Sequence, residues 1–305
     1  MILAGGRGRR FEPLAEQEPK ALLPVLGRPL IVQQLEGLAA VGVREVVLVS
    51  GHLGARLRAC VGDGRTFGVT LVHVEQAEPL GIAHALACAA PHLARPFLCL
   101  LGDLWFAQAD LARLCAVFGR GGEAVLGVRT GDGAEELARN YEVLLADDGH
   151  VRAVREKPPA GAGLRGVGVY AFPHEFLADA RATPRSALRG EHELTDAIQR
   201  HLERGARVRA VAFAERDYNL SGPHDLLAAN LEALARAHLG AFVDPAAELG
   251  PGVELEDSVV GAGARVAAGA KLVRDEVFAG ERVPPGLHRD VIFAAGQAVP
   301  VVARR

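Results

Sequence analysis

Short apolar runs rich in β-branched residues alternate with helix-length segments through the first two thirds of this chain, and nothing else in the sequence restricts the fold as much. Residues 44–50, 69–74, 124–128 and 151–155 read as strands. Residues 97–101 are apolar throughout, the composition of a strand buried on both faces. Residues 30–35 and 82–90 read as helices between them. Strands separated by helices are joined by crossovers, and crossovers build parallel sheet. The expected fold is therefore α/β, a Rossmann-like, mostly parallel mixed sheet with helices on both faces. Ligands of such sheets bind beyond the carboxyl ends of the strands. Two glycine turns, at Gly5-Gly6 and at Gly102-Asp103, fall at such ends.

The texture changes near Val243. Val243, Leu249 and Leu255 recur every six residues, as do Val260, Val266, Leu272 and Phe278, with one position lost between the series. Glycine and small residues fill the intervals. This is the hexapeptide pattern of a parallel β-helix. A Gly/Ala-rich disordered tail is the alternative, and the regular valines and leucines speak against it. About two coils fit, which makes residues 239–305 a cap or subunit contact appended to a main domain over residues 1–238. Residues 226–238, apolar at helical spacing, would connect the two.

A net charge of −3 with mixed signs argues against a nucleic-acid or membrane-surface binder. With no run of eighteen apolar residues and no charged-then-apolar leader, a cytoplasmic protein is expected. Cys60, Cys88, Cys99 and Cys115 lack CxxC spacing and read as small core residues of a reducing compartment.

The opening segment carries the chemistry. Leu3-Ala4-Gly5-Gly6-Arg7-Gly8-Arg9-Arg10 runs from an apolar strand into three glycines and then arginines. Backbone N–H groups freed in such a turn, with guanidinium forks beside them, can cradle phosphate oxygens. Plain turn chemistry is the bland reading, and neither GxGxxG nor GxxxxGK[ST] is present. Phe11-Glu12-Pro13-Leu14, Pro19-Lys20-Ala21-Leu22-Leu23-Pro24-Val25 and Arg28-Pro29-Leu30 follow in order. With these blocks the chain resembles the sugar-1-phosphate nucleotidyltransferases, including their thymidylyl and uridylyl branches, over residues 1 to about 230. Arg9 departs from the family's Thr or Ser.

The resemblance implies a site residue by residue. Leu3, Ala4, Gly5, Gly6, Gly8 and Arg9 would wrap the nucleotide, Arg10 would grip the pyrophosphate portion and Lys20 the α-phosphate. Asp103, at the end of the apolar strand, can hold Mg²⁺ through a hard oxygen or cap the next turn. The resemblance selects the metal role. It places the second metal ligand at Asn219, a neutral amide where thymidylyl members have Asp; the alternative is an Asn that merely ends a strand. Gln76, Pro79 and Gly81 correspond to the base-reading segment, where a glutamine amide offers one donor and one acceptor to an imide edge. His84 reads as a packing residue. Glu156 and Lys157 match the family's contacts to sugar hydroxyls and sugar phosphate, against the bland reading of charges solvated at a strand end. Gly168 and Tyr170 match its sugar-side strand. Glu142 stands where a sugar-contacting glycine is usual. Asp225 would cap the following helix.

The activity implied is transfer of a nucleotidyl group from a nucleoside triphosphate, dTTP or UTP ahead of the others, to a sugar 1-phosphate. Mg²⁺ would be the cofactor and a homo-oligomer the assembly, with the coiled tail in its left-handed form. Three rivals stay open: a regulatory homologue that binds nucleotide without turnover, a mannose-1-phosphate guanylyltransferase-like specificity, and a hexapeptide acyltransferase, for which the tail is short.

Overall fold

The computed structural model describes the chain except for residues 7, 9–10, 12–17, 159–160, 162, 188 and 303–305 and the side chain of Ala134. The chain divides into two compact units. The first gathers residues 1–6, 34–102 and 108–217, and the second gathers residues 7–33, 103–107 and 218–305. By compactness, then, the chain does not part at residue 238. The reason is apolar: Phe11, Leu23, Val25 and Leu30 share one buried cluster with Leu220, Leu226, Ala229 and Ala233, and with Ile292 and Ala294 of the coils.

The first unit is built on a nine-stranded sheet. Ile2–Ala4 lies between Glu45–Ser50 and Phe97–Leu101, and Thr70–Glu75 adds beyond Glu45–Ser50; all four run parallel. Helix Leu30–Ala40 precedes Glu45–Ser50 in the chain, as a crossover requires. Leu164–Phe172 pairs antiparallel with Phe97–Leu101 and carries the sheet on to Tyr141–Leu145 and Val151–Glu156 in one direction. It also pairs with Ala124–Arg129, to which Val208–Ala212 adds in parallel. The sheet is thus parallel where the sequence places its glycine turns and mixed on the far side.

In the second unit residues 241–294 wind into stacked coils with three parallel faces. Ala241 pairs with Ser258, Glu248 with Arg265 and Glu254 with Lys271, seventeen positions on in each case. Seventeen is three hexads less one, which accounts for the position lost between the two apolar series. The next turn repeats the register, Val259 to Glu276 and Arg265 to Arg282, and a fourth strand, Val291–Ala294, adds before an antiparallel hairpin with Gln297–Pro300 closes the stack. Three coils form where the spacing suggests two. Val277 and Val283, not Phe278, continue the interior series of Val260, Val266 and Leu272. Phe278 packs instead against the cluster that includes helix Pro223–Arg236.

One smaller expectation changes. Cys60 lies exposed on helix Gly54–Val61, while Cys99 is buried and desolvation pushes its thiol up to about 12. No helix among the described residues is long and apolar enough to cross a membrane.

Candidate active site

In the first unit the carboxyl ends of three adjacent parallel strands meet at glycines. A Cβ on Gly51 would stand 2.8 Å from the Gly5 carbonyl oxygen, and one on Gly102 would stand 3.0 Å from that of Leu3. Only side-chain-free residues let these backbones approach so closely. Leu3 itself points into the core, Ala4 is half-buried, and Gly6 faces open space.

Gln76 sits immediately after Thr70–Glu75, its N–H donating to the Ser50 carbonyl at 2.7 Å. It is buried, and its Nε2 donates to the Gly81 carbonyl and to His84 Nδ1, both at 3.0 Å. Gly81 adopts φ +106°, with His192 so near that a Cβ would lie 2.5 Å from its carbonyl oxygen. That conformation and that closeness both demand glycine. It opens helix Ile82–Ala89, whose Ala83 N–H donates to the His192 carbonyl at 2.9 Å. Pro79 is exposed at the preceding turn.

Glu156 ends its strand with Arg189 donating to one carboxylate oxygen and Thr195 to the other at 3.4 Å. Arg189 also reaches Glu193 at 2.8 Å, so one guanidinium joins two carboxylates. Burial pushes the Glu156 carboxyl above its ordinary value, with Arg189 opposing the shift. Lys157 is exposed and held at φ +43°, its N–H donating to the Asn140 carbonyl at 2.8 Å. Gly168, at φ +71°, is buried within Leu164–Phe172.

Two expected sugar contacts are placed otherwise. Glu142 is 2% exposed, and its Oε1 accepts the Gly163 N–H at 2.7 Å, turning the carboxylate onto the loop that follows Glu156. Tyr170 is 3% exposed and stacks between Tyr141 and Phe172 at 6.3 and 5.4 Å in the core. Burial holds its phenol well above the usual range. The Tyr170 side chain therefore packs the sheet.

The second unit, by itself, holds a charged pair. Pro19 is extended and leads into a short 3₁₀ turn, Lys20–Leu22, closed by Leu22 N–H to Pro19 and Leu23 N–H to Lys20. The flanking prolines and these bonds fix the Lys20 backbone. Its Nζ stands 3.1 Å from Asp103 Oδ2 and 5.9 Å from the centre of the Phe11 ring. Both partners keep some solvent contact, at 16% and 29% exposure, so the pair can open to a ligand. The Asp103 carbonyl accepts the Leu220 N–H at 2.9 Å, which sets Asn219, exposed at the end of Arg216–Asn219, beside it. The bulky pair after Asp103 is absorbed by packing, Leu104 buried and Trp105 against Tyr218 at 5.7 Å. Gly8 accepts the Phe11 N–H through its carbonyl at 2.7 Å. Arg9 and Arg10 lie outside the described residues.

The sequence model of the nucleotidyl transferase family aligns with residues 1–233. The chain belongs to that family. It is 34% identical over 221 residues to a glucose-1-phosphate thymidylyltransferase of Streptomyces antibioticus, covering 70% of this chain and 60% of that protein. It is 31% identical over 291 residues to one of Streptomyces griseus, covering 87% and 78%. A crystal structure of UDP-glucose pyrophosphorylase complexed with UDP-glucose shares the fold, with a TM-score of 0.69, 19% identity and coverage of 77% and 97%.

The metal that the resemblance implies suits the residues present. Asp103 offers a partly exposed carboxylate and Asn219 an exposed amide oxygen, a sparse all-oxygen set of the kind Mg²⁺ accepts when water and phosphate complete its shell. Among the described residues no group of three or more His, Cys, Asp or Glu could hold a metal by itself. Sequence reasoning missed Arg189 and Gly51. A lone arginine in a polar loop carries no periodic signal, whereas Gly51 directly follows a strand, as Gly5 and Gly102 do.

Proposed function

We propose that this nucleotidyl transferase moves a nucleotidyl group from dTTP or UTP to a sugar 1-phosphate, forming a nucleotide sugar and pyrophosphate. The observation that carries the reading is the Lys20–Asp103 pair, a cation and a hard-oxygen ligand 83 positions apart in sequence and held at 3.1 Å.

In this reading a sugar phosphate oxygen attacks the α-phosphorus in line. One P–O bond forms as the bond to the departing pyrophosphate breaks. The attacking phosphate is already ionised, so positioning and charge compensation supply the rate. Lys20 turns to the α-phosphate, and Arg10 takes the pyrophosphate portion. The backbone of residues 3–6 with Gly8 follows the nucleotide, and Gln76 reads the base. Lys157 meets the sugar phosphate, and Glu156, steadied by Arg189, meets sugar hydroxyls. Asp103 and Asn219 would hold Mg²⁺, which when bound offsets charge building on the polyphosphate. Residues 1–238 would carry the reaction. Residues 239–305, coiled in the left-handed sense, would join copies into a homo-oligomer in the cytoplasm.

A second reading, nucleotide binding without turnover, is favoured by Asn219, whose neutral oxygen is the weaker ligand. Pyrophosphate release measured with dTTP, UTP, GTP, CTP and ATP against a panel of sugar 1-phosphates separates the two. Turnover with dTTP or UTP is expected. Tight nucleotide binding with no release from any pair would establish the second reading instead.

A further inference from the structure

A primary amide can show a base either its donor or its acceptor, and at Gln76 the structure has already made that choice. The two hydrogens on Nε2 are both spent, one on the Gly81 carbonyl and one on His84 Nδ1, each at 3.0 Å. The Gly81 contact fixes which end is nitrogen, since a carbonyl oxygen only accepts. The His84 contact then fixes the tautomer: Nδ1 accepts, so the ring proton sits on Nε2. What remains is Oε1. It lies over the glycine turn, 3.1 Å from where a Cβ on Gly5 would be.

His84 is itself held. Its ring stacks with that of His192 at 6.1 Å, and His192 is tied by its Nδ1 to the Thr183 carbonyl at 2.6 Å and by its backbone to Leu80 and Ala83. The glutamine, itself buried, cannot rotate to present its NH₂ without abandoning two acceptors, a loss worth roughly one to two orders of magnitude in binding.

We propose that His84 is a positioning residue for base selection, locking Gln76 so that only its carbonyl oxygen faces the nucleotide. This rests on the proposed function in taking the nucleoside triphosphate as ligand. The amide thus reads a base whose pairing edge carries a ring N–H. Uracil and thymine qualify through N3–H and guanine through N1–H. Cytosine and adenine, which set an acceptor there, are turned away. The sequence suggests a donor and an acceptor for the imide edge; the structure leaves the acceptor alone.

The test is equilibrium binding by calorimetry of UTP, N3-methyl-UTP and CTP to the wild-type chain and to His84→Phe and His84→Asn, with thermal melting as a check on folding. Phenylalanine keeps the stacked ring and removes the acceptor, while the asparagine Oδ1 can stand in for Nδ1. Wild type should bind UTP at least 10-fold tighter than either analogue. The UTP-to-CTP gap should fall below about 3-fold in His84→Phe and persist in His84→Asn. Equal binding of UTP and CTP to wild type, or an unchanged gap in a folded His84→Phe, would overturn the proposal. Binding with the predicted gaps but no pyrophosphate release would sink the transfer reaction and leave the base selection standing. Failure to bind any nucleotide sinks both.

Discussion

Glu276 offers a direct measure of how the coils are fastened to the rest of their unit. It is 1% exposed and neighbours the inward-facing Val277, so it looks out from the other face of its strand. Neither carboxylate oxygen has a hydrogen-bond partner among the described residues. Asn230 of helix Pro223–Arg236 is the polar group set against it, but its amide hydrogens go to the Pro24 and Leu226 carbonyls and its Oδ1 to the Leu26 N–H. Desolvation therefore prevails and holds the carboxyl well above its ordinary 4.5. With a raised folded-state value the folded protein keeps a proton that the unfolded chain releases. Stability from this site is then complete below about pH 4.5 and declines as pH climbs toward the folded-state value, by about 1.4 kcal/mol per pH unit. Glu276→Gln keeps the shape and abolishes the titration. As pH rises above about 4.5 the variant should gain on the parent, in that direction only. Urea unfolding at successive pH values reads this, followed by the fluorescence of Trp105, the single tryptophan, which packs against the cluster of Leu226 and Ala229 on helix Pro223–Arg236. Parallel pH profiles for the two proteins would refute the argument that this carboxyl is buried in its neutral form.

Asp103→Ala and Lys20→Ala should each lower pyrophosphate release by about 100-fold or more at saturating magnesium, since the first removes a ligand proposed for Mg²⁺ and the second a cation proposed for the α-phosphate; a rate within a factor of three of wild type would end the assignment. Gly81→Ala should cost about 3 kcal/mol of unfolding free energy in urea, because the new Cβ meets the His192 carbonyl at 2.5 Å in a backbone conformation foreign to alanine. Arg189→Ala should raise KM for the sugar 1-phosphate about 10-fold and leave KM for the nucleotide unchanged, an asymmetry that steady-state kinetics resolves. Ending the chain after residue 238 should leave an aggregating protein that binds hydrophobic dye, because Ile292 and Ala294 then no longer cover Leu226 and Ala229; a monomeric, cooperatively melting product would contradict that.

What the sequence discloses depends on whether a residue's neighbours are near it in the chain. Phe97–Leu101 is legible residue for residue, since a strand buried on both faces has only apolar side chains to show. The coils are legible as a period but miscounted, because the interior of the third turn is reached through another five-residue step to Val277. Lys20 and Asp103, far apart in sequence, come together only through the family pattern; no spacing rule joins them. Glu142 and Tyr170 go astray for the opposite reason. Side-chain direction is decided locally, by Gly163 offering its N–H to one and by Tyr141 and Phe172 stacking on the other. The same locality is what makes the Gln76 amide readable in the structure: its orientation is settled by Gly81 and His84, five and eight residues onward, once helix Ile82–Ala89 folds them back against it. On the proposed reading a motif names the residue that would meet the base, while the groups that spend its hydrogens would determine which base it can meet.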